Sequence, residues 1–413
     1  MDMMIPLGGG NEIGASAYLY FIGGRKILVD YGIRFNSKEP FPDPQFLKSL
    51  APELDAIVIT HAHIDHCGAF HIASSLYPDT PVITTFETAE LLSLMVEDAI
   101  KVRYIGREEG SFSEYRIFDE AFLRIERKDF FEPFTIGDVE ITLFPAGHIL
   151  GAASILFRWN GKSLFHTGDI SLKEQYTVKG AVLPDEKVNF LVMESTYYYS
   201  DRDGGDESSL IESVRKIVEK KGKILIPVFA LGRAQEIISI LKEGMRKGDI
   251  PPINVYVDGL AREVCNIYEH NIDKEFFNFY IQPAPFYEGL SYEEACEENL
   301  READCIIATS GMLMENTPSY IYGKLIGKKS SNGIIFSGYL SEESFGYRLL
   351  KDRKRLKNFR CQILKHHLSA HADREELKFI EEKLSPDRLI LVHGFPLNRK
   401  NSCHVANREV VYL

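Results

Sequence analysis

Residues 60–68 read T-H-A-H-I-D-H-C-G and constrain this chain more than any other stretch. Three histidines and an aspartate, His61, His63, Asp65 and His66, fall within six residues. The apolar run 55–60 just before them reads as a buried strand, which puts the four polar groups on the turn at its C-terminal end. His61, His63 and Asp65 alternate with Ala62 and Ile64, a spacing that lets side chains of one tight loop converge on a point. Imidazole nitrogen and carboxylate oxygen suit zinc and similar divalent cations. Gly68 is expected where a helix begins. Four ligands are more than one tetrahedral ion needs from a single loop, so the run is expected to be half of a two-metal site. An ordinary polar surface loop would account for one histidine, but not for three and an aspartate behind a strand.

The same device, a ligand-type residue at the end of an apolar strand, recurs along the chain. His148 sits between two glycines after the run 139–144, and the run 163–167 ends in Gly168-Asp169. The run 190–193 ends in Glu194, and 388–392 ends in His393-Gly394. Asp30 closes the run 26–30, either as a turn cap or as a carboxylate that orients a ligand histidine. Residues 7–14, L-G-G-G-N-E-I-G, lack the G-x-G-x-x-G and G-K-[ST] patterns of phosphate loops and read as a tight turn near the site.

At 413 residues the chain is expected to form two or three domains, and an apolar content of 45% supplies ordinary cores. No stretch of about 18 apolar residues occurs, so no membrane helix is expected. The start M-D-M-M-I-P lacks a basic n-region and a long apolar core, so it does not read as a signal peptide. Six scattered cysteines form no C-x-x-C pair and read as free thiols of a reducing cytoplasm. A net charge of −12 argues against a general nucleic-acid binder but leaves room for a local basic groove.

Taken in order, runs 15–22 and 26–30 form a hairpin about Gly23-Gly24. Residues 86–105 form an amphipathic helix, and 112–145 read as strands and turns. Residues 200–208 are polar, with two glycines, and mark a domain boundary. Beyond them helices 208–220, 233–246, 260–270 and 291–302 alternate with strands 223–228, 253–257, 305–309 and 333–337, the pattern of a parallel sheet covered by helices. From about 358 the chain returns to short strands and turns. This predicts a first domain of 1–204 plus 358–413 with an insertion at 205–357.

His61, His63, Asp65 and His66 with His148 and Asp169 resemble the metallo-β-lactamase superfamily. The segments E-S-T-Y at 194–197, S-A-H-A-D at 369–373 and V-H-G at 392–394 resemble its β-CASP ribonuclease branch, as do P-V-F-A-L-G-R-A-Q-E at 227–236 and S-G-M at 310–312. The likeness covers nearly the whole chain and looks strongest to the pre-mRNA 3′-end cleavage endonucleases and their archaeal relatives, with RNase J next. It implies an αββα sandwich with an inserted α/β β-CASP domain. The sequence shows neither the extra C-terminal domain typical of RNase J nor the N-terminal KH-type domains of many archaeal relatives, so endonucleolytic and 5′–3′ exonucleolytic cleavage both stay open.

Carried over by residue, the resemblance implies one metal on His61, His63 and His148, a second on Asp65, His66 and His393, and Asp169 bridging them. Two Zn2+ are expected, with Mn2+ or Fe as alternatives, holding a bridging hydroxide that attacks phosphorus. His371 resembles the family's general acid, oriented and charged by Glu194. The implied partner is RNA, with a homodimer and partners of an RNA-processing complex left open. Arg233 and Ser369 are candidates for phosphate contact. The basic run 351–357 is a candidate for the RNA path, or else a solvated helix face. Three other readings compete. A DNA-processing nuclease of the same branch is disfavoured by His393, where such members carry Val. A thioesterase or lactonase lacks the insertion and the Glu194–His371 pair. A non-catalytic subunit typically lacks several ligands, all of which are present here.

Overall fold

The computed structural model describes residues 2–34, 37, 39–104, 111–200, 206–351, 358–396 and 403–413. Residues 352–357, most of the basic run, and 201–205 of the expected boundary segment lie outside the described residues. The chain divides into two compact units, Met1–Asp201 with His371–Leu413, and Arg202–Ala370.

The first unit holds two sheets. One comprises β1 (Met3–Gly8), β2 (Ala17–Ile22), β3 (Arg25–Val29), β4 (Ala56–Val58), β5 (Val82–Thr84) and β6 (Ile125–Arg127). The other comprises β7 (Phe134–Ile136), β8 (Val139–Pro145), β9 (Ala153–Trp159), β10 (Lys162–His166) and β11 (Phe190–Glu194). The second unit carries β12 (Ile224–Pro227), β13 (Val255–Asp258), β14 (Ile281–Pro283), β15 (Cys305–Ala308), β16 (Gly333–Phe336) and β17 (Gln362–Lys365). The chain then returns to the first unit with β18 (Arg388–Val392) and β19 (Val411–Tyr412). The first sheet runs β19-β1-β2-β3-β4-β5-β6 and the second β18-β11-β10-β9-β8-β7.

Period-two alternation makes these sheets a sandwich. Tyr20, Val29 and Val58 of the first sheet share one core with Ile155, Phe157, Val192 and Ile390 of the second. Leu156, Leu191 and Leu391, pointing the other way, pack with Leu377, Ile380 and Leu384 of helix Arg374–Leu384. Leu28 and Ile57 on the opposite side of the first sheet are also fully buried. Helices therefore flank two central sheets, the expected αββα arrangement.

The second unit is an all-parallel six-stranded sheet in the order β14-β13-β15-β12-β16-β17. Its helices Glu207–Glu219, Arg233–Lys247, Ala261–Ile272 and Tyr292–Glu302 fall where alternation placed them. No described helix is long and apolar enough to cross a membrane.

The structure departs from expectation in four places, one of them the 11-residue helix Arg374–Leu384, which stands where only short strands and turns were expected. Residues 112–145 are not all strands and turns: Ser111–Phe122 is a helix, burying Phe118 and Ala121 at helical spacing. The return to the first unit comes at His371, not 358, because Gln362–Lys365 pairs with β16 as the edge of the inserted sheet. Gly68 does not open a helix but caps the C-terminal end of the single turn Ile64–Cys67; a Cβ there would lie 2.5 Å from the Ile64 carbonyl oxygen.

Candidate metal centre

Seven side chains of the first unit gather at the strand ends. His61, His63, His148 and Asp169 place one ligand atom each within 4.8 Å of one another, and so do Asp65, His66 and His393. The first loop follows β4, and Asp65 and His66 enter on the turn Ile64–Cys67. His148 stands in the β8–β9 connection, Asp169 follows β10, and His393 follows β18 with φ 48°. Asp169 joins the two groups. Its Oδ2 lies 3.6 Å from His61 Nε2 and 3.6 Å from His148 Nε2, while its Oδ1 lies 3.4 Å from His66 Nε2 and 3.4 Å from His393 Nδ1.

Neighbouring groups fix these clustered side chains. Asp30, fully buried, accepts from the Thr60 backbone N–H (2.8 Å), the Thr60 hydroxyl (2.8 Å) and His66 Nδ1 (2.7 Å). Its φ of 59° lies in the left-handed region, where Asp is among the tolerated residues. A bond at Nδ1 leaves Nε2 of His66 for a cation. Thr60 Oγ1 lies 3.0 Å from His61 Nδ1, which likewise leaves His61 Nε2 inward. Gln175 Nε2 donates to the carbonyls of Gly147 and His148 at 2.9 and 3.0 Å. Thr60 and Gln175 were not singled out from sequence. Their hydroxyl and amide mark nothing without the fold, although Thr60 adjoins the ligand run.

The charges balance only in part. Burial pushes His61 far below its usual range, and the neighbouring imidazole of His66 adds to this, so His61 is neutral and able to coordinate. Burial opposes charge on His66 as well, yet the carboxylates of Asp169 and Asp30 raise it well above normal. Burial acts to raise Asp169, but His393, His66 and His371 hold it far below the usual carboxylate range. Buried His61 Nε2 and Asp169 Oδ1 have no hydrogen-bond partner. Orphaned buried atoms of this kind cost about 1–3 kcal/mol each. A cation at the His61 side would satisfy the first and one at the His66/His393 side the second, and five imidazoles with two carboxylates are a donor set for divalent metals.

Beside the seven, Glu194 and His371 meet. His371 Nδ1 lies 3.1 and 3.0 Å from the two carboxylate oxygens, and Ile170 N–H donates to Oε1 at 2.8 Å. Burial would lower His371, but Glu194 and Asp169 raise it to about 9. Ser369 and Arg233 belong to the second unit, Arg233 as the first residue of its helix after Gly232. Among the remaining histidines, His71 pairs with Glu114, His166 with Tyr20, and His366 with Ser209 and Ser213.

Residues 10–228 match the metallo-beta-lactamase superfamily, 234–349 the beta-Casp domain, and 358–397 a domain described as the RNA specificity domain of Zn-dependent metallo-hydrolases. Among curated proteins, the chain is 30% identical to an RNase J-like protein of Methanocaldococcus jannaschii, over 94% of this chain and 91% of that one. It is 32% identical to the transcription termination factor FttA of Thermococcus kodakarensis, over 94% and 66%, and 28% identical to Integrator complex subunit 11 of Danio rerio, over 94% and 68%. A crystal structure of an Enterococcus faecalis protein of unknown function superposes over the whole of both chains with a TM-score of 0.63 at 15% identity, a likeness of fold alone. The superfamily match spans more than half of the chain, and the archaeal relative aligns along nearly all of its own length: the chain belongs to the metallo-β-lactamase superfamily, in its β-CASP branch.

Proposed function

We propose that the chain is a ribonuclease that hydrolyses RNA phosphodiester bonds with two divalent cations, zinc in the first instance. The observation that carries the reading is the gathering of two ligand groups about one shared carboxylate, Asp169, with the Glu194–His371 pair alongside. Similarity to an RNase J-like protein and the match to an RNA specificity domain support RNA as the substrate.

Divalent cations held there would supply a water of pKa about 7 and neutralisation of charge on the phosphate. His61, His63 and His148 would hold one, Asp65, His66 and His393 the other, and Asp169 both. Asp65 and Asp169 serve as anionic acceptors that also align the attacking water. Glu194 fixes Nδ1 of His371, so Nε2 is the atom that delivers a proton to the departing oxygen. Glu194 also keeps that imidazole charged, as an acid requires. Asp30 aims His66. Ser369 and Arg233 are proposed phosphate contacts on the second unit.

The test uses a 5′-labelled RNA as a single strand and as a hairpin, with DNA of the same sequence, and a His63→Ala/Asp65→Ala variant alongside. Internal RNA fragments absent with the variant support an endoribonuclease, and release of 5′ mononucleotides an exoribonuclease. DNA cut as well as RNA overturns the substrate, and no cleavage by zinc-loaded protein overturns the activity.

A further inference from the structure

The glycine-rich loop, residues 7–14, has so far no role beyond a turn. Its contacts lead to one of the two ligand groups. The Gly9 carbonyl accepts the backbone N–H of His393 at 2.7 Å and the Tyr18 hydroxyl at 2.9 Å. Just beyond the loop, Ser16 N–H donates to the Asp65 carbonyl at 2.8 Å, and Ser16 Oγ lies 3.5 Å from His66 Nε2. The segment from Gly9 to Ser16 therefore touches His393, Asp65 and His66, the whole of the second group. The first group is anchored from another side, through Gln175 on the His148 loop.

The loop is itself latched. Gly10 N–H donates to Asn407 Oδ1 at 2.9 Å, and Asn407 Nδ2 donates to Glu12 Oε1 at 2.6 Å. Arg34 pairs with the same Glu12 oxygen at 2.7 Å and donates to the Gly14 carbonyl at 2.9 Å. The fit leaves no room for side chains. A Cβ on Gly10 would lie 2.5 Å from the Val405 carbonyl oxygen and 2.8 Å from Asn407 Oδ1. One on Gly9 would lie 2.7 Å from the Tyr18 hydroxyl and 2.9 Å from Ser16, at a φ of +71°. Gly10 is buried, and Asn407 is the side chain that takes its N–H.

We infer that Asn407 is a positioning residue for the Asp65/His66/His393 cation position, acting through the loop it latches. This rests on the two-cation reading above. Groups that orient ligands from behind cost about 10–100-fold in metal affinity when removed. Here the loss falls on one position of the two.

The test titrates metal-depleted full-length protein with Zn2+ alone, reading stoichiometry and affinity by competition with a chromophoric chelator. Wild type is expected to take two ions. His393→Ala identifies the step that belongs to the second position. Asn407→Ala, and separately Gly10→Ala, which pushes the loop off the 405–407 segment, are expected to weaken that same step by about 10–100-fold and leave the other at its wild-type value. Wild type binding two ions with both variants unchanged overturns the inference and leaves the two-cation reading standing. Equal loss of both ions together with a lowered melting temperature also overturns it, since that is general loosening. A wild type that takes one ion overturns both.

Discussion

Glu194 and His371 are 177 residues apart in sequence, yet His371 Nδ1 lies within 3.1 Å of both Glu194 oxygens. The carboxylate faces one nitrogen of the ring and leaves the other to the reaction. Glu194→Gln keeps the shape and removes the charge, so His371 loses a partner that raises it. In the wild type, cleavage is expected to fall as pH rises through the His371 pKa. In the variant that alkaline limb is expected to move to lower pH. At neutral pH His371→Ala should lose about 10²–10⁴-fold in rate. Rate profiles on labelled RNA from about pH 5.5 to about 10.5, spanning the His371 pKa of about 9, check both, and a Glu194→Gln profile that superimposes on the wild type would rule the pairing out.

Asp30→Asn should preserve the backbone, because Asn also tolerates the left-handed φ of 59° found there. It should not preserve the aim of His66, whose Nδ1 faces the lost carboxylate charge at 2.7 Å. About a 10–100-fold loss of Zn2+ affinity is expected, read by chelator competition, with the chain still folded by circular dichroism.

Chelation should destabilise the first unit. Removing the ions leaves His61 Nε2 and Asp169 Oδ1 without the partner a cation supplies. Zinc at a thousand times its Kd is worth about 4 kcal/mol to the folded state. Calorimetry should show a Tm lowered by chelator and restored by two equivalents of Zn2+. An unchanged Tm would contradict the site.

His166 gives a separate dependence on pH. Its Nδ1 lies 2.8 Å from the Tyr20 hydroxyl in the sandwich interior, and burial lowers its pKa to about 3. The unfolded chain, with an ordinary histidine pKa of about 6.5, binds a proton that the folded chain refuses between those values. Stability is therefore fully present above about pH 6.5 and declines as pH falls toward 3, by about 1.4 kcal/mol per pH unit for this group. Urea unfolding of metal-free protein at pH 7, 6 and 5 should show a shallower slope for His166→Asn, by about one proton.

The convergence of residues 61–66 was legible because it is local: four polar groups follow one apolar run at a spacing that brings them together. His148, Asp169 and His393 were legible by their repeated place at strand ends, and their grouping by resemblance. What stayed hidden depended on tertiary partners. Nothing in the run Gln362–Lys365 says which sheet it will join, and pairing with β16 decides it. Helix Ser111–Phe122 was masked by aromatics, which suit strands as well. Asn407 is an ordinary polar residue until Gly10 is found beneath it.

The pairing of β11 with β18 has a consequence for the order of assembly. Phe190 is registered against Arg388, and the whole second unit lies between them in sequence. A separation that long adds little closure entropy, about 0.6 kcal/mol per doubling of length, but such contacts form slowly. On the ribosome the insertion emerges and can fold while β11 still waits for its neighbour. In chain order Asp65 and His66 therefore wait for His393, and Glu194 for His371, until the whole second unit has been made.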